Sequence, residues 1–156
     1  MPKLTNIIER YQTEQPVLSV RIQPPMERIP DLFEEYATRI SSYAKQFGVE
    51  LTDVPFVIYY DYLAMDMQRV DVEICYPVSK PVPSANEIVS KVIPPSKIIF
   101  SMHRGHFTET SPLYGEMTSW IMEKGYEPKG PSYEYYFNGF DYPGYDQLIK
   151  VVIPFK

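Results

Sequence analysis

The chain has a single cysteine, Cys75, so it cannot form an intramolecular disulfide or a cysteine-based metal cluster. Histidine is nearly as scarce. His103 and His106 sit together with Arg104 and Gly105, and with Glu109 they match no common metal-ligand spacing. They read as hydrogen-bonding residues at a strand end, and neither a metal nor a cofactor is expected. Basic runs are missing too: 15 Lys and Arg face 20 Asp and Glu, for a net charge of −5. Direct nucleic-acid binding, which needs clustered cations to displace phosphate counterions, is therefore not expected. No apolar run approaches the roughly 20 residues of a membrane span, and residues 1–15 contain no apolar stretch resembling a secretion signal. These absences point to a cytoplasmic protein. Glycine-rich phosphate loops, a Gly-x-Ser-x-Gly elbow and a His-Glu-x-x-His helix are also lacking.

Aromatic residues are abundant by contrast, with 14 Tyr, 8 Phe and 1 Trp. Tyrosine combines a large apolar face with a polar tip, which suits walls that grip flat or cationic ligands. Strands also favour tyrosine for packing alone.

Two stretches about 76 residues apart resemble each other. Pro55, Phe56, Val57, Ile58, Tyr59 and Tyr60 lead to a strand ending at Pro77 and Val78. Pro131, Ser132, Tyr133, Glu134, Tyr135 and Tyr136 lead to one ending at Pro154 and Phe155. The first and last prolines are 22 residues apart in one copy and 23 in the other. Aligned on Pro55 and Pro131, Ile58 matches Glu134. A carboxylate standing where its counterpart is apolar suggests a pseudo-symmetric shell around an asymmetric polar group.

Patterning fills in the rest. Short strands are expected at residues 6–11 and 17–23. Ile29, Leu32, Phe33, Tyr36, Ile40, Tyr43, Ala44 and Phe47 then draw one helical stripe, ended by Gly48. Strands at 55–60 and 70–78 pair across a loop at 61–69, and residues 79–83 form a proline-rich linker. The second half repeats the order, with strands at 87–93 and 97–102. A helix capped by Ser111 follows and ends at Gly125, and strands at 131–137 and 147–155 complete the copy. The chain is therefore expected to be a single α+β domain with pseudo-repeats 1–78 and 84–156. Each repeat is a strand–helix–strand–strand unit with an extra leading strand. Together they would build a curved antiparallel sheet with two helices and a central cleft.

Alternation along a strand puts Glu134 and Tyr136 on one face, and the matching alignment puts Ile58 and Tyr60 on the same one. One crevice would then hold Glu134, Tyr136 and Tyr60, with Tyr114 reaching its mouth from the second helix. A carboxylate among aromatics either pairs with a ligand cation or carries a raised pKa and acts as a general acid or base. The alternative is a solvated carboxylate on an exposed strand. Cys75 has no activating neighbour and reads as a packing residue, and Trp120 reads as core.

The strand running from Val72 to Val78 and the His103-x-Gly105 turn before the second helix form one part of a familiar pattern. The Gly130-Pro131-x-x-Glu134-x-Tyr136 segment and the closing Val152-Ile153-Pro154 form the other. In their order and spacing the chain resembles the GyrI-like small-molecule-binding domains, also described as AraC-type effector-binding domains. The resemblance implies a duplicated fold with a central cleft, in which Glu134 meets small hydrophobic or cationic, often aromatic, ligands. It also implies three settings. One is ligand sensing for a transcription regulator, here through a separate partner. Another is gyrase inhibition by protein–protein contact. The third is hydrolysis of cyclopropane-bearing toxins, for which Glu134 and a tyrosine such as Tyr136 would be catalytic.

Overall fold

In a computed structural model describing residues 5–140 and 144–156, eight strands form one sheet with two helices. The strands are β1 (Ile8–Gln12), β2 (Gln15–Ile22), β3 (Phe56–Tyr59), β4 (Val72–Pro77), β5 (Val89–Ile93), β6 (Ser96–Arg104), β7 (Ser132–Tyr136) and β8 (Leu148–Phe155). Helix α1 (Ile29–Gln46) lies between β2 and β3, and α2 (Ser111–Glu123) between β6 and β7. This is the expected order of elements in an α+β fold, although Ser111 is the first helical residue of α2 and Thr110 occupies the cap position.

Both helices end on a residue that needs positive φ. Gly48 (φ 65°) donates to the Lys45 carbonyl while Val49 donates to Ala44. Gly125 (φ 82°) donates to Met122 and Tyr126 donates to Ile121. These paired bonds satisfy carbonyls that the last helical turn leaves open, in a geometry glycine adopts without strain. The reversals return the chain to the sheet at β3 and β7.

All sheet neighbours are antiparallel, in the order β1-β6-β8-β7-β3-β4-β2-β5. The two halves therefore meet at the β3–β7 ladder in the centre. The leading strand of each half crosses to the other half's sheet: β1 pairs with β6 and β5 pairs with β2.

The sheet curls into a half-barrel with both helices on one face. There Ile29, Phe33 and Ile40 of α1 and Leu113, Met117 and Ile121 of α2 pack with Val57, Tyr59, Ile74, Val151 and Ile153. The inner face of the curl carries a second buried cluster made without helical residues, including Val17, Phe56, Ile58, Cys75, Tyr133, Tyr135 and Val152. Burial of apolar area on both faces, at about 25 cal/mol per Å², stabilises the curled sheet.

Candidate functional site

The central ladder decides which tyrosines meet Glu134. Across it, Val57 faces Glu134 and Ile58 faces Tyr133. Directly opposed residues point to the same side, so Ile58 and Tyr60 point away from Glu134, toward the inner face. The residue that joins Glu134 from the first half is Tyr59.

Glu134 is 4% exposed and sits at the end of two hydrogen-bonded chains. Tyr136 donates to Oε1 at 2.7 Å, and the Tyr59 and Tyr136 hydroxyls are 2.7 Å apart. Tyr114, from the first turn of α2, donates to Oε2 at 2.6 Å, with the Ser132 hydroxyl 2.9 Å from its oxygen. Because Tyr136 and Tyr114 each give their one proton to the carboxylate, Tyr59 and Ser132 must supply the other two bonds. Every hydroxyl in the network thus points its proton toward Glu134. Among the described residues no Lys, Arg or His forms an ion pair with it.

Burial pushes the Glu134 pKa up to about 7, against the downward pull of the Tyr114 and Tyr136 bonds. The same burial and the nearby carboxylate hold Tyr59, Tyr114 and Tyr136 well above the usual phenol range, so all three stay protonated donors. The carboxyl group is consequently poised between its neutral and ionised forms near neutrality.

Glu134, Tyr59 and Tyr114 of this network line a cavity of about 140 Å³ between the halves. Met26, Tyr59, Tyr62 and Met65 line it from the first half, and Phe107 and Tyr114 do so from the second. Tyr62 leans over Tyr114 with ring centroids 5.2 Å apart and reaches the Thr118 hydroxyl at 3.2 Å. The volume admits a ring or a small cationic group. A larger ligand would have to displace the flexible Met26 and Met65 side chains.

Of the four residues singled out from sequence, the structure brings Glu134, Tyr136 and Tyr114 together and sends Tyr60 elsewhere. The Tyr60 hydroxyl donates to Glu73 on the inner face, and Arg21 stacks on its ring 3.8 Å from the centroid. Glu73 is also held by Ser19 at 2.5 Å and Lys91 at 2.7 Å. Burial pushes the Glu73 pKa up, but the three bonds outweigh it and leave the group below the ordinary glutamate value. Glu73 is a satisfied ion pair, whereas Glu134 has hydroxyl partners alone. Tyr59, Tyr62 and the two methionines were not signalled by the alternation argument. Tyr59 could have been found from its 77-residue separation from Tyr136, the same as that between Gly48 and Gly125.

A curled antiparallel sheet with a carboxylate buried at the seam of its halves, beside an aromatic cavity, defines a small-molecule-binding domain. The chain belongs to the GyrI-like small molecule binding domain family, whose model matches residues 5–156. No curated protein matches the sequence. Among solved structures, the fold is similar to the EcmrR C-terminal domain, with a TM-score of 0.76, 21% identity and 97% of each chain covered. It also matches EcmrR in a DNA complex at a TM-score of 0.77 and 21% identity, covering 97% of this chain and 57% of that one. A hydrolase from Listeria innocua shares the fold at 12% identity and a TM-score of 0.72, covering 100% and 94%. SAV2435 bound to tetraphenylphosphonium matches at 10% identity and a TM-score of 0.58, covering 97% and 94%. No helix among the described residues is long and apolar enough to cross a membrane.

Proposed function

We propose that the chain binds small hydrophobic cations, with or without aromatic rings, in the cavity between its halves, with Glu134 as the charge anchor. The observation that carries this reading is a buried carboxylate with two hydroxyl donors, no cationic partner among the described residues and a place on a cavity wall. An ionised carboxylate has about four acceptor sites, so two bonds leave capacity for a ligand. Desolvating it without a countercharge is costly, and a bound cation supplies the charge that the fold withholds. Tyr59, Tyr62 and Tyr114 offer ring faces worth about 0.5–2 kcal/mol each toward a cation. The likeness to SAV2435 bound to tetraphenylphosphonium supports this ligand class. The likeness to EcmrR, solved in complex with DNA, supports a setting in which the domain reports ligand to a DNA-binding partner.

The test is isothermal titration of wild type and Glu134→Gln with tetraphenylphosphonium and a smaller aromatic ammonium. Saturable binding that is lost in the variant is expected. Equal binding by both proteins, or by neither, would refute the anchoring role.

A second reading has its own support. A carboxyl group with a pKa of about 7, bonded to two tyrosine hydroxyls, is suited to exchange a proton with a reacting group near neutral pH. In a hydrolase, Glu134 would activate water or protonate a strained ring while Tyr114 or Tyr136 orients it. Release of hydrolysed product from a cyclopropane-bearing electrophile by wild type, and none by Glu134→Gln, is the outcome that selects this reading over binding alone.

A further inference from the structure

We infer that the inner face of the curled sheet carries a second ligand site, for a small organic anion. A cavity of about 350 Å³ opens there beside the β1–β2 connection, with Arg10, Ile98, Tyr135 and Lys150 among its walls. Its polarity is opposite to that of the Glu134 cavity. The Lys150 ammonium lies 4.9 Å from the centroid of the Phe100 ring and 5.0 Å from that of Tyr135, and the Arg10 guanidinium lies 5.8 Å from Phe100. Among the described residues, neither cation has a carboxylate within ion-pairing distance.

The other end of the same face provides the contrast. There Lys91 stands in a comparable place but is neutralised by Glu73 at 2.7 Å. The acid nearest Lys150 among the cavity walls is Asp53, an exposed residue whose Oδ1 already accepts from the Val54 amide at 2.7 Å. Burial lowers the Lys150 pKa, and Asp53 offsets part of that. With Asp53 counted, two cations face one carboxylate around the concavity, a local excess of positive charge in a chain of net charge −5.

The walls define the ligand. Tyr135, Ile98 and Pro77 present apolar surface, and the Gln12 amide adds a polar group. The matching chemistry is a carboxylate or phosphate ester on an apolar, preferably aromatic, body. Tyr135 and Glu134 are adjacent in β7 and point to opposite faces, so this cavity is separate from the cation site and stands whether or not that reading holds.

The experiment titrates phenyl phosphate and benzoate, with benzyl alcohol as the neutral comparison, into wild type, Lys150→Met, Arg10→Gln and Glu134→Gln. The two anions separate phosphate from carboxylate recognition. Wild type should bind at least one anion saturably and more tightly than benzyl alcohol, with affinity falling as salt rises. Lys150→Met should weaken it by about tenfold, while Glu134→Gln leaves it unchanged. Arg10→Gln, at an exposed strand position, should weaken it as well and decides the matter if Lys150→Met fails to fold. Absent anion binding, equal affinity for benzyl alcohol, or anion affinity intact in the cation variants would overturn the inference.

Discussion

Replacing Glu134 by glutamine should stabilise the protein at alkaline pH, because the carboxylate is held where its charged form is disfavoured. Its pKa rises from an ordinary 4.5 to about 7 on folding. The folded protein therefore keeps this proton to higher pH than the unfolded chain does. Stability from the neutral form is fully present below about 4.5 and is lost as pH rises toward and through 7. At about 1.4 kcal/mol per pKa unit, the rise from 4.5 to about 7 makes the loss slightly more than about 3 kcal/mol by pH 8. Glutamine keeps the shape and stays neutral, though one tyrosine must turn to accept from its amide, which returns about 1 kcal/mol. A net gain of about 2 kcal/mol at pH 8 corresponds to roughly 4–8 °C in melting temperature for a domain of this size. The variant should show no such gain at pH 4.5.

The assay is thermal unfolding of both proteins from pH 4.5 to 8, read as the difference between them. The difference cancels other titrations, including that of His103, whose pKa burial lowers. Parallel curves over that range would refute the argument. A tetraphenylphosphonium complex should reverse the trend, since ligand binding favours the ionised form and affinity should rise through pH 7.

Three further outcomes follow from particular contacts. Tyr114→Phe removes a donor that holds the Glu134 pKa down, so the midpoint of pH-dependent cation binding should move upward and stability should fall by about 1 kcal/mol, measured by titration and melting. Tyr60→Phe should cost a similar amount of stability through the loss of its bond to Glu73, yet leave cation affinity unchanged; a tenfold loss would mean that Tyr60 faces the cavity after all. Lys91→Met strips the countercharge from buried Glu73 and should destabilise by about 2–3 kcal/mol in chemical denaturation.

Much of the fold was legible because helical stripes and strand alternation are local. The α1 stripe gave the helix, Gly48 and Gly125 gave its and α2's ends, and Glu134 stood out as a carboxylate in an aromatic strand. The tyrosine partner was misassigned through one residue of register. Aligning Pro55 with Pro131 matches Ile58 to Glu134, whereas the ladder opposes Val57 to Glu134. The clue lay in the unequal proline separations, 22 against 23 residues. Pro77 and Pro154, like the two helix-ending glycines, are 77 apart, so Pro131 alone stands one residue early and Pro55 corresponds to Ser132. A shift of one residue exchanges the two faces of a strand, which moves Tyr60 into contact with Glu73 and brings in Tyr59. The crossing of β1 and β5 had no sequence signal, because pairing between distant edge strands depends on the completed sheet. The same is true of the pairing states of Lys91 and Lys150, which depend on residues distant in sequence.

That crossing ties the fate of each half to the other. Residues 8–12 are synthesised early, yet their partner β6 arrives some 90 residues later, and β5 must reach back to β2. Neither half has its outer strand until both have emerged, so loop closure over long distances precedes much of the hydrogen bonding, a topology that slows folding. Once formed, the crossed strands act as a mutual clasp around the β3–β7 seam. Force that separates the halves must first peel two outer strands from the opposite edges, leaving the β3–β7 seam around Glu134 the last region to open.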